Sequence, residues 1–306
     1  MSKSTLYVRP SGILSYESCG YAYYLQYVLK IRPKELSNSL AFGSASHKAL
    51  LPYVVAHGEG ETVDTVRLFE EAWDEQLDNH IVEFTSYDEE ELRTIGRKLA
   101  ESFPAAWNAT GLKVVVANGV PMVEQRLRLP LGEDIVLTGE PDIIATRISD
   151  PEQRLAIPDL KLPRSAAFDG FALQSDQLTA YNLLVHFRRP MLGLQDREIS
   201  EIGFLEGLKK KGAEWHPAQM APARTERQMG EYVSKVHMTA ALIRKGYFPK
   251  RSGAAYNTPC DTCDLRKLCM RGSTEGMVSS LGDVDELVRR PIEEVISGVQ
   301  QLPEAA

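Results

Sequence analysis

Apolar positions recur at near-helical intervals through residues 11–31, where Leu14, Ala22, Leu25 and Leu29 follow Ser11 as N-cap, so the pattern predicts one helix with Cys19 in its middle. Tyr16, Tyr21, Tyr23, Tyr24 and Tyr27 make this stretch aromatic, a clustering that core packing explains more readily than base stacking. From Ser46 to about Ala109 the pattern is helical with polar breaks, punctuated by Gly58 and Gly60, and reads as a helical insertion over about 48–112. After Gly111 the texture changes. Residues 113–117, 122–131, 135–148 and 155–162 are β-branched or alternating and predict a strand-rich core within about 113–210. A helix over about 173–187, a strand near 199–208 and a long helix over about 223–245 follow, then a loop-rich segment, 249–272. Residues 273–306 read as an acidic, weakly ordered or separately packed tail.

The chain of 306 residues, 43% hydrophobic and 25% charged, has an ordinary globular balance. No run of about 18 apolar residues occurs, and residues 1–14 lack a signal-peptide core and cleavage site. A cytoplasmic protein without membrane association is therefore expected. The net charge of −7, taken as an average, argues against a polyanionic partner. Its distribution does not: residues 59–91 carry −12 and residues 275–306 carry −5, which leaves +10 on the rest. Acidic runs are ordinarily solvated surface, and the remaining body is basic enough to bind phosphate.

Cys260, Cys263 and Cys269 form a CxxC followed by a third thiol, and Cys19 lies far away near the N-terminus. A tight triplet plus one remote thiol suits a four-thiolate metal site, and spacing alone leaves zinc and iron both open.

Two strand-like segments each carry a carboxylate at an unusual place. In Leu137-Thr138-Gly139-Glu140-Pro141-Asp142-Ile143-Ile144, Asp142 lies between a turn and an apolar pair; in Ile157-Pro158-Asp159-Leu160-Lys161-Leu162, strand alternation puts Asp159 and Lys161 on one face. Phosphodiester hydrolysis calls for a hard cation on oxygen ligands. Asp142 and Asp159 supply carboxylates, the Leu160 carbonyl a neutral oxygen, and Lys161 a group to orient or help deprotonate the attacking water. A lone Asp-x-Lys is usually a surface ion pair, and context raises this one. Gln177 and Tyr181 share a helix face just downstream, and His47, at an expected helix start, offers a nitrogen ligand. Glu124 precedes the Asp142 strand as an auxiliary acid or a plain surface residue.

The ordered set Tyr16/Cys19/Tyr23, Gly43 with His47, Gly139 with Asp142, Asp159-Leu160-Lys161, Gln177 with Tyr181, and Cys260, Cys263, Cys269 resembles the PD-(D/E)XK nuclease superfamily. Within it, the set is most similar to the RecB-like exonuclease branch with an iron–sulphur cluster, which includes CRISPR-associated and AddB-type nucleases. The resemblance implies an α/β, restriction-endonuclease-like core, a mixed central sheet flanked by helices, with an N-terminal helical region and a C-terminal cysteine-rich cluster segment in one domain over 1–272. It further implies Mg²⁺ or Mn²⁺ on His47, Asp142 and Asp159, a catalytic Lys161, Gln177 and Tyr181 lining the site near DNA, and a structural [4Fe–4S] cluster on Cys19, Cys260, Cys263 and Cys269. The sequence departs from that pattern at Gly20, where the family usually has proline, and at Asp159, where glutamate is frequent.

The expectation is a metal-dependent DNA exonuclease acting on single strands or duplex ends. Lys209, Lys210, Lys211, Arg188 and Arg189 would supply phosphate contacts, although basic runs are ordinarily solvated. The chain has no GxxxxGK phosphate loop, so any helicase or recombination partner is a separate chain. A non-catalytic nucleic-acid-binding or partner protein with a four-cysteine zinc site is the alternative. An iron–sulphur electron carrier fits worse, because no dinucleotide or flavin motif is present.

Overall fold

The computed structural model describes residues 5–132, 134–251 and 258–290, which divide into two compact units. One comprises residues 35–127 and 139–227; the other comprises 1–34, 128–138 and 228–306.

The first unit is built on a mixed sheet. Its central strand, Leu155–Lys161, runs parallel to Ile199–Leu208 and antiparallel to Ala145–Arg147, which in turn pairs with Leu112–Val114. Gln219–Pro222 and Glu214–Trp215 both pair with Ile199–Leu208. Leu155 to Leu160 are all buried, as a strand covered on both faces requires. Leu160 and its register partner Leu205 belong to a core with Phe42, Phe69, Trp73, Phe103 and Trp107, from helices Asn38–Glu59, Thr65–Asn79 and Glu89–Thr110. The helical segment shares one core with the sheet. Its long helices are well delimited: Asp88 and Glu91 form a capping box, and Gly60 and Gly111 end their helices in the left-handed conformation. Helix Asp176–Arg188 packs against the two central strands.

Several elements differ from the sequence pattern. His47 lies well inside helix Asn38–Glu59, which Ser37 caps, instead of at a helix start. The stretch 135–148 breaks into Ile135–Gly139 and Ala145–Arg147, because Pro141 lacks a ladder donor; Pro141 to Ile144 are buried. The helix expected from 173 begins at Asp176, where Ser175 accepts from the Leu178 amide, and a single turn Phe171–Gln174 precedes it. The strand at 199–208 falls where expected.

The second unit holds the N-terminal helices, helix Glu226–Arg244 in its greater part, and the cysteine-bearing segment. The helix expected over 11–31 is interrupted. Pro10–Ser18 ends at Cys19, whose backbone is extended; Gly20–Tyr23 restarts and passes into a π-helical turn, Tyr24–Val28. Arg9, not Ser11, occupies the N-cap, with Pro10 at the first helical position. The tyrosines pack as the pattern suggested: Tyr23 stacks on Tyr27 at 4.9 Å, and burial raises its phenol to about 12. The tail is ordered in part. Met277–Ser279 pairs antiparallel with Ile31–Pro33, and helix Val284–Arg289 contributes Val284 and Leu287 to a core with Leu25, Leu29 and Ile31; residues 291–306 lie outside those described. Among the described residues, no helix is long and apolar enough to cross a membrane.

Candidate active site

Alternation along the central strand opens the site. The Leu155 amide bonds the Glu198 carbonyl on the Ile199–Leu208 side, so the amides of residues 156, 158 and 160 point the other way, toward Ala145–Arg147. Pairing on that side ends at Ala156. Pro158 has no amide to leave unsatisfied there, and the next donor, the Leu160 amide, donates to Asp142 Oδ2 at 2.7 Å. Asp142 thus fills the slot where the ladder stops. Its own carbonyl accepts from the Glu124 amide at 3.0 Å, with Glu124 held at φ +48°.

Around this slot the structure gathers His47, Asp142, Asp159, Lys161, Gln177 and Tyr181. Asp159 is fully buried. Lys161 pairs with Asp159 Oδ2, an oxygen without any hydrogen-bond partner in proper geometry, while Asp159 Oδ1 accepts from Gln177 Nε2 at 3.4 Å. The same Gln177 amide donates to the Tyr181 hydroxyl oxygen at 3.0 Å. Gly139 allows Tyr181 to come close, since a Cβ there would stand 3.2 Å from Tyr181 Cε1 and 2.6 Å from Leu184 Cδ1.

The electrostatics follow from two carboxylates in a dry place. Burial, then the neighbouring Asp159, pushes Asp142 well above the usual carboxylate range, against the opposing pull of Lys161 and the Leu160 amide. Burial lowers Lys161, but Asp159 and Asp142 outweigh it and raise the ammonium above its ordinary value. Burial, with Lys161, lowers His47, so its imidazole is neutral at neutral pH. Burial and Asp159 raise the Tyr181 phenol, which stays protonated.

His47 Nε2 lies 3.2 Å from the Leu160 carbonyl, an acceptor only, so Nε2 carries the proton. The unprotonated Nδ1 then faces Asp142 Oδ1 at 3.8 Å, one electron-pair donor against another. That opposition, the fully buried Asp159 carboxylate and the hard character of the donors fit a divalent cation on these residues. Among the described residues, no three His, Cys, Asp or Glu side chains already converge as a closed metal cage. In this arrangement Lys161 occupies Asp159 and His47 occupies the Leu160 carbonyl.

The basic residues expected to meet phosphate are largely engaged elsewhere. Lys209 is buried, bonded to Ser39 Oγ at 2.7 Å; Lys210 pairs with Glu214, and Lys211 with Glu91 at 3.4 Å. Arg189 donates to the Arg197 carbonyl and pairs with Glu198, and Arg188 contacts Met191 Sδ. Lys209 and Arg189 are drawn into local bonding, whereas the Lys211 side chain stays exposed. Glu124 is exposed, and partial desolvation followed by Glu140 raises its carboxyl.

In the second unit the four cysteines are free and half-buried. Burial raises the thiols of Cys263 and Cys269, and both also feel Cys19 and Cys260. Gly20 has a steric reason: a Cβ would stand 2.7 Å from Pro249 Cδ, and the Tyr21 amide bonds the Pro249 carbonyl at 3.1 Å. The absence of a side chain at 20 lets the chain leading to the cysteine triplet cross directly beside Cys19. None of the four is in a disulfide, and soft thiolates are the donors a thiophilic metal or cluster takes, although among the described residues they do not already converge as a metal site.

Sequence reasoning missed Arg224 and Glu206, single buried charges. Arg224 donates to Thr179 Oγ1 and to the Ala172 carbonyl, and Glu206 accepts from the Ala167 amide. Neither has a local signal, because their partners come from segments distant in sequence.

A mixed sheet whose central strand ends on a buried aspartate paired with a partly exposed lysine two residues on, with a second aspartate closing its open side, defines a restriction-endonuclease-like core. The chain belongs to the PD-(D/E)XK nuclease superfamily, whose family model matches residues 8–270. Among solved structures it is similar to a protein from Eubacterium rectale provisionally described as an exonuclease, at 14% identity and a TM-score of 0.42, covering 82% of this chain and 86% of that one. It is also similar to SSO0001, at 12% identity and a TM-score of 0.34, covering 78% of this chain and 87% of that one. No curated protein matches it.

Proposed function

We propose that the protein is a Mg²⁺- or Mn²⁺-dependent DNA exonuclease that hydrolyses phosphodiester bonds of single strands or duplex ends, stabilised by a structural [4Fe–4S] cluster. The observation that carries this reading is the buried Asp142–Asp159 pair, with Lys161 as its ion-pair partner and the His47 lone pair facing Asp142. Keeping two carboxylates dry and close is costly for stability and useful for binding a cation.

His47, Asp142, Asp159 and the Leu160 carbonyl would hold the divalent ion, which when bound supplies Lewis acidity toward the phosphoryl group. Lys161, paired with Asp159, would orient or help deprotonate the attacking water and offset negative charge growing on phosphate. Gln177 steers Asp159 through one N–H and holds Tyr181 through the other, which leaves the phenolic proton free to donate toward the substrate. In the second unit, Cys19, Cys260, Cys263 and Cys269 would tie the N-terminal helices to the C-terminal segment.

Incubation with end-labelled single- and double-stranded DNA of both polarities, with Mg²⁺ or Mn²⁺, tests the reading: metal-dependent shortening from an end is expected. DNA binding without cleavage under every metal condition, in a colourless protein with stoichiometric zinc, would instead support a non-catalytic zinc protein.

A further inference from the structure

The segment joining the two site-bearing elements, from Lys161 at the strand end to Asp176 at the start of the Gln177 helix, presents aromatic surface to solvent. Phe168 is 59% exposed and Phe171 37%. Their rings meet edge to face at 5.4 Å, and Phe171 stacks on Phe204 at 5.5 Å. Phe204 is the register partner of Asp159, so both side chains leave the sheet on the same face. Glu206, register partner of Lys161, anchors the segment by accepting from the Ala167 amide at 3.1 Å, and Gln219 bonds both Glu206 and the Ala167 carbonyl. Arg224 holds the far end through the Ala172 carbonyl at 2.5 Å. The aromatic pair is thus fixed from both sides beside the face that carries Asp159. On the same segment, the exposed Arg164 donates to Ser86 Oγ and lies over the Tyr87 ring, and among the described residues it has no carboxylate partner, so its charge is available to a phosphate.

We propose that Phe168, backed by Phe171, stacks on an unpaired nucleobase of the DNA strand entering the site, with Arg164 on the adjoining phosphate. The inference rests on the nuclease reading and adds to it the substrate class, a strand with unstacked bases. Stacking of one base on an aromatic side chain is sequence-tolerant and is lost on truncation to alanine.

The test measures binding of fluorescent single-stranded oligonucleotides by anisotropy, with Ca²⁺ in place of Mg²⁺ so that cleavage does not intervene, using intact strands and strands with one abasic site walked inward from each end. Phe168→Ala should weaken binding of intact strands roughly five- to 150-fold, the equivalent of about 1–3 kcal/mol per stacked base. Phe168→Trp should restore it. At one abasic position the wild type should fall to the level of Phe168→Ala, while the variant stays unchanged. Wild-type affinity of Phe168→Ala for all strands overturns the proposal, as does an equal loss at every abasic position or a loss of self-association alone. Cleavage assays run in parallel separate the two ideas: a wild type that cleaves DNA while Phe168→Ala binds normally sinks only the stacking site, whereas a wild type that neither binds nor cleaves sinks both.

Discussion

Replacing Gly139 by alanine isolates the packing that brings the Gln177–Tyr181 helix to the carboxylates. The new Cβ would lie 2.6 Å from Leu184 Cδ1 and 3.2 Å from Tyr181 Cε1. Carbon atoms in contact prefer about 3.5–4.0 Å, so Leu184 must withdraw by about 1 Å. Leu184 is fully buried, so any withdrawal displaces packed neighbours. Overpacking of this kind costs about 1–3 kcal/mol, and at about 2 °C per kcal/mol for a chain of this length the melting temperature should fall by about 2–6 °C. If the helix gives way instead, Gln177 and Tyr181 move with it, and a 1 Å misplacement costs on the order of 10²-fold in rate. Gly43→Ala is the control. Gly43 lies inside helix Asn38–Glu59 with nothing within 4 Å of a built Cβ, so alanine there should stabilise by about 0.5–1 kcal/mol. Thermal unfolding and single-turnover cleavage of an end-labelled oligonucleotide report both effects. A Gly139→Ala protein with wild-type melting and rate, or a Gly43→Ala protein that falls as far, would refute the reasoning.

Because burial raises Asp142 above its unfolded value, its contribution to stability is fully present below the unfolded carboxylate pKa and is lost as pH rises through the folded one. Asp142→Asn keeps an acceptor for the Leu160 amide without the charge. It should flatten that loss in metal-free unfolding curves and remove the rise in melting temperature that Mn²⁺ gives the wild type; equal pH slopes and equal Mn²⁺ shifts would contradict this. Cys19→Ser and Cys263→Ser should each abolish brown visible absorption and stoichiometric iron in anaerobically purified protein, and retention of iron by either would remove that cysteine from the ligand set. DNA affinity should fall with salt at a log–log slope of about −0.7 per phosphate contact on single strands, and Arg164→Ala should reduce the slope by about that amount; an unchanged slope would exclude Arg164 from phosphate binding.

Much of this site was legible in the amino-acid order. Asp159 and Lys161 share a face by strand alternation, Gln177 and Tyr181 by helical spacing, and the structure keeps both pairs. The strand at 199–208 and the helix carrying Gln177 stand nearly where periodicity places them. What stayed hidden was set by tertiary partners. The break at Cys19 occurs where the Pro249 segment crosses Gly20, which no local propensity records. The helices read as an insertion bury Phe42, Trp73 and Trp107 with Leu160 and Leu205, a union that periodicity within each segment does not reveal. Basicity at 209–211 suggested phosphate contacts, yet Lys209 turns inward to Ser39. A run of like charges specifies neither which side chain faces solvent nor which finds a partner.

The central claim is that Asp159 and Lys161 carry metal-dependent phosphodiester hydrolysis. Single-turnover cleavage of end-labelled DNA in Mg²⁺ or Mn²⁺, with Asp159→Asn and Lys161→Met beside the wild type and thermal unfolding run on the same samples, tests it most directly. The account predicts loss of cleavage by at least about 10²–10⁴-fold in each variant, with cooperative unfolding retained. Wild-type cleavage rates in both folded variants would contradict it.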